Sequence, residues 1–264
     1  MRVTVGVDGA GVAHVEMCRE KAGNAIDLAM AQGLLDAARS CRRADVRAVL
    51  LTGQGRSFCV GGDLREFAGL SGERLAAHLT AVTDALHGAL RVFAGLDAPL
   101  VAAVQGAVAG AGVGLAAAAD LTIAASDATF TAAYTGIGYS PDAGVSWSLP
   151  RLVGPKRALD LLLTNRRVPS AEAARMGLVS RVVATDRLPE EAAHAATALA
   201  RGATGALGAT RRLVAGALST GLDAHLDVEA RHLAAAAVSA EGREGVDAFL
   251  AKRRPDWSGP RMDS

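Results

Sequence analysis

Two glycine-rich segments are the parts of this chain whose residue types and spacing could do chemistry. The first is Phe58-Cys59-Val60-Gly61-Gly62-Asp63-Leu64. The second, Gly106-Ala107-Val108-Ala109-Gly110-Ala111-Gly112-Val113-Gly114, runs straight into Leu115 to Asp120. Each follows an apolar run with the pattern of a buried strand, Ala48-Val49-Leu50-Leu51 and Leu100-Val101-Ala102-Ala103-Val104. Small residues just past a strand end let a ligand approach bare backbone. Two such places, each offering a free N–H, could grip one oxygen from two sides, the arrangement that stabilises an oxyanion. The same glycines would also let a helix pack closely on a strand, and the residues alone leave both readings open.

The elements that must position these segments read as an α/β chain. Val3 to Val7 and Val12 to Met17 flank an Asp8-Gly9 turn as a hairpin. Asp27 caps a helix with Leu28, Met30, Leu34, Leu35 and Ala38 on one face. A strand is expected over 46–52, a helix over 73–93 and a strand from Pro99. The second glycine segment should turn into a short, tightly packed helix ending near Asp120. Leu121 to Ala124 and Ala128 to Thr131 read as two short strands around a turn. From Asp142 onward the pattern is mainly helical, interrupted by a strand over 179–183. Strand–strand–helix recurs and then helices accumulate, which predicts a stacked α/β core over 1–195 and a helical region over 196–264. Pro255 to Ser264 reads as a loose tail.

Composition narrows the classes of function. With 28 basic and 27 acidic residues, the net charge of +1 argues against coating nucleic acid or an anionic membrane. The three cysteines, Cys18, Cys41 and Cys59, form no CxxC or disulfide framework and fit a reducing cytoplasm. There is no basic stretch followed by an apolar run at the N-terminus, so a cytoplasmic protein is expected. His14, His78, His194, His225 and His232 show no metal spacing, so no metal is expected.

Arg47 to Gly53 continuing through Arg56 to Leu64, the glycine segment ending at Asp120, and Gly177-Leu178-Val179 together resemble the enoyl-CoA hydratase/isomerase, or crotonase, superfamily. The resemblance runs from about Gly11 to Trp257. It implies a spiral of ββα repeats, a C-terminal helical trimerisation region giving a homotrimer or dimer of trimers, and an acyl-CoA thioester substrate. No cofactor is implied beyond the coenzyme A that the substrate carries. By motif position, the two N–H groups that hold the thioester carbonyl fall on Gly62 and Ala111. Ala111 also sits at a helix start, where unpaired N–H groups and the dipole favour negative charge. Binding of coenzyme A and substrate is implied for Asn24, Ala25, Ile26, Gly61, Asp63, Arg65, Gly110, Phe249 and Lys252. Arg56 is as readily a solvated surface charge, and Asp63 and Asp120 also read as structural residues ending a loop and a helix.

Hydratases of this family use two glutamates, at the positions held here by Gly114 and Tyr134. Glycine can neither activate water nor protonate carbon, and a tyrosine is a poor base near neutrality. Asp142, in Ser140-Pro141-Asp142-Ala143-Gly144, lies where the family often places a third catalytic position. Pro-Asp-Ala-Gly followed by Trp147 and Leu149-Pro150-Arg151 is similar to ring-epoxyphenylacetyl-CoA isomerase-like members, in which this aspartate moves the proton. Asp142 would alternatively cap the start of a helix. His87 and Tyr134 are further catalytic candidates, since with Asp142 they resemble the set of the family's 4-chlorobenzoyl-CoA dehalogenase. The expected activity is a shift of a carbon–carbon double bond, or a ring isomerisation, using Asp142. A hydratase with a displaced acid/base pair, a hydrolase using Asp142 and His87, and a non-catalytic acyl-CoA-binding subunit are the alternatives. Tyr134, Tyr139 and Trp147 hint at a pocket that tolerates aromatic groups.

Overall fold

A computed structural model describes residues 1–257; the end of the tail expected over 255–264 lies outside the described residues. The chain opens with β1 (Val3–Val7) and β2 (Val12–Met17), antiparallel as expected, joined by a turn in which the Asp8 carboxylate accepts the N–H groups of Ala10 and Val12. Then follow α1 (Leu28–Ser40), β3 (Ala48–Gly53), α2 (Leu64–Ala68), α3 (Gly72–Gly95), β4 (Leu100–Val104), β5 (Ala107–Ala109) and α4 (Ala111–Ala118). The next group is β6 (Leu121–Ala125), β7 (Thr129–Thr131), α5 (Val145–Val153), α6 (Pro155–Thr164), β8 (Val168–Pro169), α7 (Ser170–Arg175) and β9 (Arg181–Val183). Helices α8 (Leu188–Ala200), α9 (Thr204–Ala217), α10 (Leu222–Val238) and α11 (Ala240–Leu250) complete the chain.

One sheet orders its strands β1-β2-β3-β4-β6-β9, parallel from β2 onward; a smaller sheet orders β5-β7-β8. The strands β6 and β7, expected to lie around a single turn, therefore belong to different sheets. Alternation along the large sheet divides its side chains between two cores. Val15, Met17, Val49, Leu51, Leu100, Ala102 and Val104 face α1 and α3, whereas Val12, Ala48, Leu50, Val101, Ala103 and Ile123 face α8. Burial on both faces explains why β4 reads as a continuous apolar run. Helix α8 runs through residue 200 with its apolar side, Leu188, Ala192, Ala195, Ala196 and Ala200, on the sheet, so the border expected at 195/196 falls within it.

The recurring unit is a long strand in the large sheet, a short extended segment beside it and then a helix. Isolated bridges pair Ile26 with Gly62 and Cys59 with Val108, extending the small sheet sideways toward the first repeats. Successive repeats thus stack the corner where the short segment becomes a helix: Ile26 before α1, Gly62 before α2, Gly110 before α4 and Tyr134 after β7.

Asn24 ties the first two corners together. Fully buried, it accepts the Arg19 N–H at 2.9 Å and directs its amide to the carbonyls of Gln54, Ser57 and Phe58 at 2.9–3.0 Å. Replacing Asn24 with Ala leaves buried donors and acceptors unpaired and is expected to cost about 2–4 kcal/mol of stability. Denaturant titration checks this; an unchanged midpoint would mean that the clamp contributes nothing.

Candidate active site

The repeated corners open onto one cavity of about 480 Å³, within the range of small-molecule sites. Ile26, Gly61, Gly62, Gly110, Ala111, Tyr134, Tyr139 and Asp142 line it. Most of its remaining wall is apolar, from Val60, Leu64, Phe67, Leu79, Val82, Leu86 and Ile137. The lining residues Leu79, Val82, Thr83 and Leu86 follow helical spacing on one side of α3. Their spacing marks an apolar face in the sequence, but it does not tell a packed core from a cavity wall.

At the polar end, the N–H groups of Gly62 and Ala111 make no hydrogen bond among the described residues, while their neighbours do. Gly61 accepts Ile26 N–H at 2.8 Å, Asp63 N–H reaches Ile26 O at 3.0 Å and Gly110 N–H reaches Thr131 O at 3.1 Å. Ala111 is the first residue of α4, so the positive end of that helix faces the cavity. The glycines of α4 also serve close packing, the other reading that the sequence left open. A Cβ on Gly112 would lie 2.2 Å from the Cys59 carbonyl oxygen. One on Gly114 would lie 2.4 Å from the Ala143 carbonyl oxygen and 2.7 Å from the Ala143 Cβ. No side chain fits at Gly114 unless the turn carrying Asp142 moves.

Asp142 is the single acidic residue in the lining. It is not a helix cap. Helix α5 starts at Val145 behind Gly144, with no side-chain cap, and the Asp142 carboxylate instead accepts the Tyr134 hydroxyl at 2.6 Å. Burial first, and the Asp142 charge second, push the Tyr134 phenol far above its ordinary value, so it remains a donor. Alanines with positive φ, Ala133 at 63° and Ala143 at 50°, lie at both ends of the loop joining these residues. Such conformations persist only where surrounding contacts enforce them. The loop is anchored through Thr135, which donates to Leu162 O at 2.9 Å and accepts the Asn165 amide at 2.6 Å.

Several expected site residues lie elsewhere. His87 is absent from the lining, and its Nε2 accepts the Ala143 N–H at 3.1 Å, which leaves that lone pair unable to activate water. Asn24 and Ala25 are buried outside the cavity. Asp63 is also buried; it caps α2 through the N–H groups of Arg65 and Glu66 and meets Arg19 at 2.5 Å. Burial would raise the Asp63 carboxyl, but the Arg19 contact and the capping N–H groups outweigh it and hold the group below its usual range. Arg65 and Lys252 are exposed, with no side-chain partner among the described residues, and Phe249 is 81% exposed on α11. Trp147 is not a pocket residue: it is 57% exposed, with the Arg151 guanidinium 4.0 Å from its ring centroid. Asp120 is structural: its carboxylate accepts the Leu100 N–H at 2.7 Å and forms an ion pair with Arg211 at 2.7 Å. Burial pushes the Cys59 thiol up to about 12, so it is no nucleophile near neutrality. Among the described residues no cluster of His, Cys, Asp or Glu could hold a metal, and no helix is long and apolar enough to cross a membrane.

Two measurements test this geometry. Gly114→Ala is expected to destabilise the protein by about 1–3 kcal/mol through overpacking against Ala143; a neutral effect in denaturant titration would show that the turn yields freely. Because the folded Tyr134 phenol titrates above its unfolded value of about 10, its contribution is present below that pH and fades as pH rises past it. Wild type should therefore lose up to about 1.4 kcal/mol per pH unit above pH 10 relative to Tyr134→Phe. Parallel stability–pH curves for the two proteins would contradict the assignment.

Comparison with known proteins finds relatives over nearly the whole chain. A sequence model of the family described as Enoyl-CoA hydratase/isomerase matches residues 8–260. A probable enoyl-CoA hydratase of Rhodobacter capsulatus is 41% identical over 94% of this chain and 95% of its own. The 1,2-epoxyphenylacetyl-CoA isomerase of Escherichia coli K12 is 36% identical over the same shares of the two chains. The crystal structure of an enoyl-CoA hydratase from Bacillus anthracis superposes with a TM-score of 0.92 at 30% identity, covering 98% of this chain and 100% of that one.

Proposed function

The chain belongs to the enoyl-CoA hydratase/isomerase family, and on that premise we propose that it isomerises an acyl-CoA thioester, with Asp142 as the proton carrier. The observation that carries this reading is that a single carboxylate shares a largely apolar cavity with two main-chain N–H groups that have no partner among the described residues. In the proposed reaction the thioester oxygen sits between the N–H groups of Gly62 and Ala111. The Asp142 carboxylate removes a proton alpha to the carbonyl, and the electron pair moves onto the carbonyl oxygen as an enolate. As the carbonyl reforms, the conjugated system takes the proton back from Asp142 at the gamma carbon, and the double bond has moved. Each such N–H donor contributes on the order of 100- to 1000-fold in rate. The transfer is internal to the substrate, so it calls for no redox group and no cofactor beyond the attached coenzyme A.

Water addition fits this cavity less well. It needs one group to activate water and another to protonate carbon. Gly114 cannot carry a carboxylate against Ala143, and the Tyr134 hydroxyl is donated to Asp142. The coenzyme A end is assigned to the exposed, unpartnered Arg65 and, from a neighbouring copy, to Phe249 and Lys252. The assembly proposed is a homotrimer or dimer of trimers, supported by the exposed Val214, Leu218, Leu222, Leu226, Leu233 and Val246 on α9 to α11. Sedimentation equilibrium tests it: a persistent monomer at micromolar concentration rules it out.

Proton exchange tests the reaction. Incubated with a β,γ-enoyl-CoA in deuterated water, the wild type should move the double bond, incorporating deuterium in those turnovers in which the Asp142 proton exchanges with solvent before its return. Asp142→Asn should lower both by about 1000-fold while still binding the saturated acyl-CoA. Release of free acid or hydration of the double bond would favour a different reaction class. Tight binding with neither exchange nor movement of the double bond would mean a silent binder.

A further inference from the structure

We propose that His87 is a positioning residue for Asp142, holding the Ala143 N–H through Nε2 and thereby fixing the turn from which the carboxylate reaches the cavity. The inference rests on the reading of Asp142 as the proton carrier, but its observations are separate. The N–H that His87 accepts belongs to the peptide unit between Asp142 and Ala143. On the opposite edge of that unit, the Asp142 carbonyl oxygen accepts the Val145 N–H at 3.0 Å. The peptide plane next to the Asp142 Cα is therefore gripped on both sides, which fixes the position of that Cα and the axis about which its Cβ can turn, while the Tyr134 hydroxyl on the carboxylate sets the direction of the side chain. Ala143 is 1% exposed, so without His87 its N–H would be a buried donor lacking a partner. It also sits at a φ of 50°, a conformation from which a non-glycine residue relaxes when its restraints are removed.

The bond joins residues 56 positions apart in sequence. Helix α3, which carries His87, also supplies Leu79, Val82, Thr83 and Leu86 to the cavity wall. The helix that shapes the acyl end thus also sets the position of the carboxylate. A backbone N–H can only donate, so Nε2 must present its lone pair and the ring proton resides on Nδ1.

Side chains that place an acceptor at different points give the test. In glutamine the terminal amide occupies the place of Nε2, in asparagine that of Nδ1, and leucine offers no acceptor. Turnover of a β,γ-enoyl-CoA and dissociation constants for its saturated counterpart are measured on the full chain, with thermal melts confirming folding. His87→Leu and His87→Asn should lower kcat by about 100-fold, the effect of an ångström-scale misplacement, with the dissociation constant changed less than about threefold. His87→Gln should keep kcat within about tenfold of wild type. Wild-type kcat in folded His87→Leu overturns the proposal, as does a His87→Gln variant no better than His87→Asn. If His87→Leu does not fold, the comparison of Gln with Asn decides alone. Asp142→Asn serves as the separate arm. If it keeps turnover, the underlying reading falls and this proposal with it; if it is inactive while His87→Leu is fully active, only the role of His87 falls.

Discussion

Helix α4 meets the turn carrying Asp142 through bare backbone at Gly114, where an added carbon would fall 2.4 Å from the Ala143 carbonyl oxygen. Much of the site follows from that close approach. It leaves no room for a side chain on α4 against Ala143, the residue next to Asp142. It brings the turn near the N-terminus of α4, where unpaired N–H groups and the helix dipole favour developing negative charge. The carboxylate takes its hydrogen bond from Tyr134, a residue of the preceding corner, and the burial that keeps that phenol protonated keeps the bond in place.

The spiral explains why such distant residues converge. Parallel strands need crossover connections, and here each crossover passes through a short segment of the second sheet before its helix begins. The transition from extended chain to helix leaves main-chain groups unpaired, and stacking the repeats places these transitions beside one another. Ile26, Gly62, Ala111 and Tyr134 reach one cavity for this reason, although they span most of the first half of the chain.

Much of this was legible in the sequence. The longer strands and helices of the first half followed from alternation and capping, including the Asp27 cap, whose carboxylate accepts Met30 N–H at 2.7 Å, whereas the short α2 and β5 carried no such signal. Gly61, Gly62, Gly110, Ala111 and Asp142, all singled out in the sequence, line the cavity. What escaped was whatever depends on tertiary direction. The assignment of β6 and β7 to different sheets turns on a change of direction between them that no local pattern records. The cavity wall on α3 carries the same periodicity as a buried helix face. The pairing of Tyr134 with Asp142 and of His87 with Ala143 needed coordinates, because neither spacing marks a motif. Asn24 was legible as a notable residue but not as a clamp: its left-handed φ of 56° and its fully used amide show a role in folding the corner.

The polar end of the cavity and its apolar wall come from different kinds of atoms. The groups that would meet the carbonyl oxygen are peptide nitrogens, present whichever residue is encoded, while the surface that would meet the acyl tail is built from the side chains of α3 and its neighbours. Point mutations can remodel that surface freely but can reach the nitrogens only by distorting the chain. Substitutions on α3 can therefore change the shape of the apolar end while leaving the unpaired nitrogens of the polar end where they are.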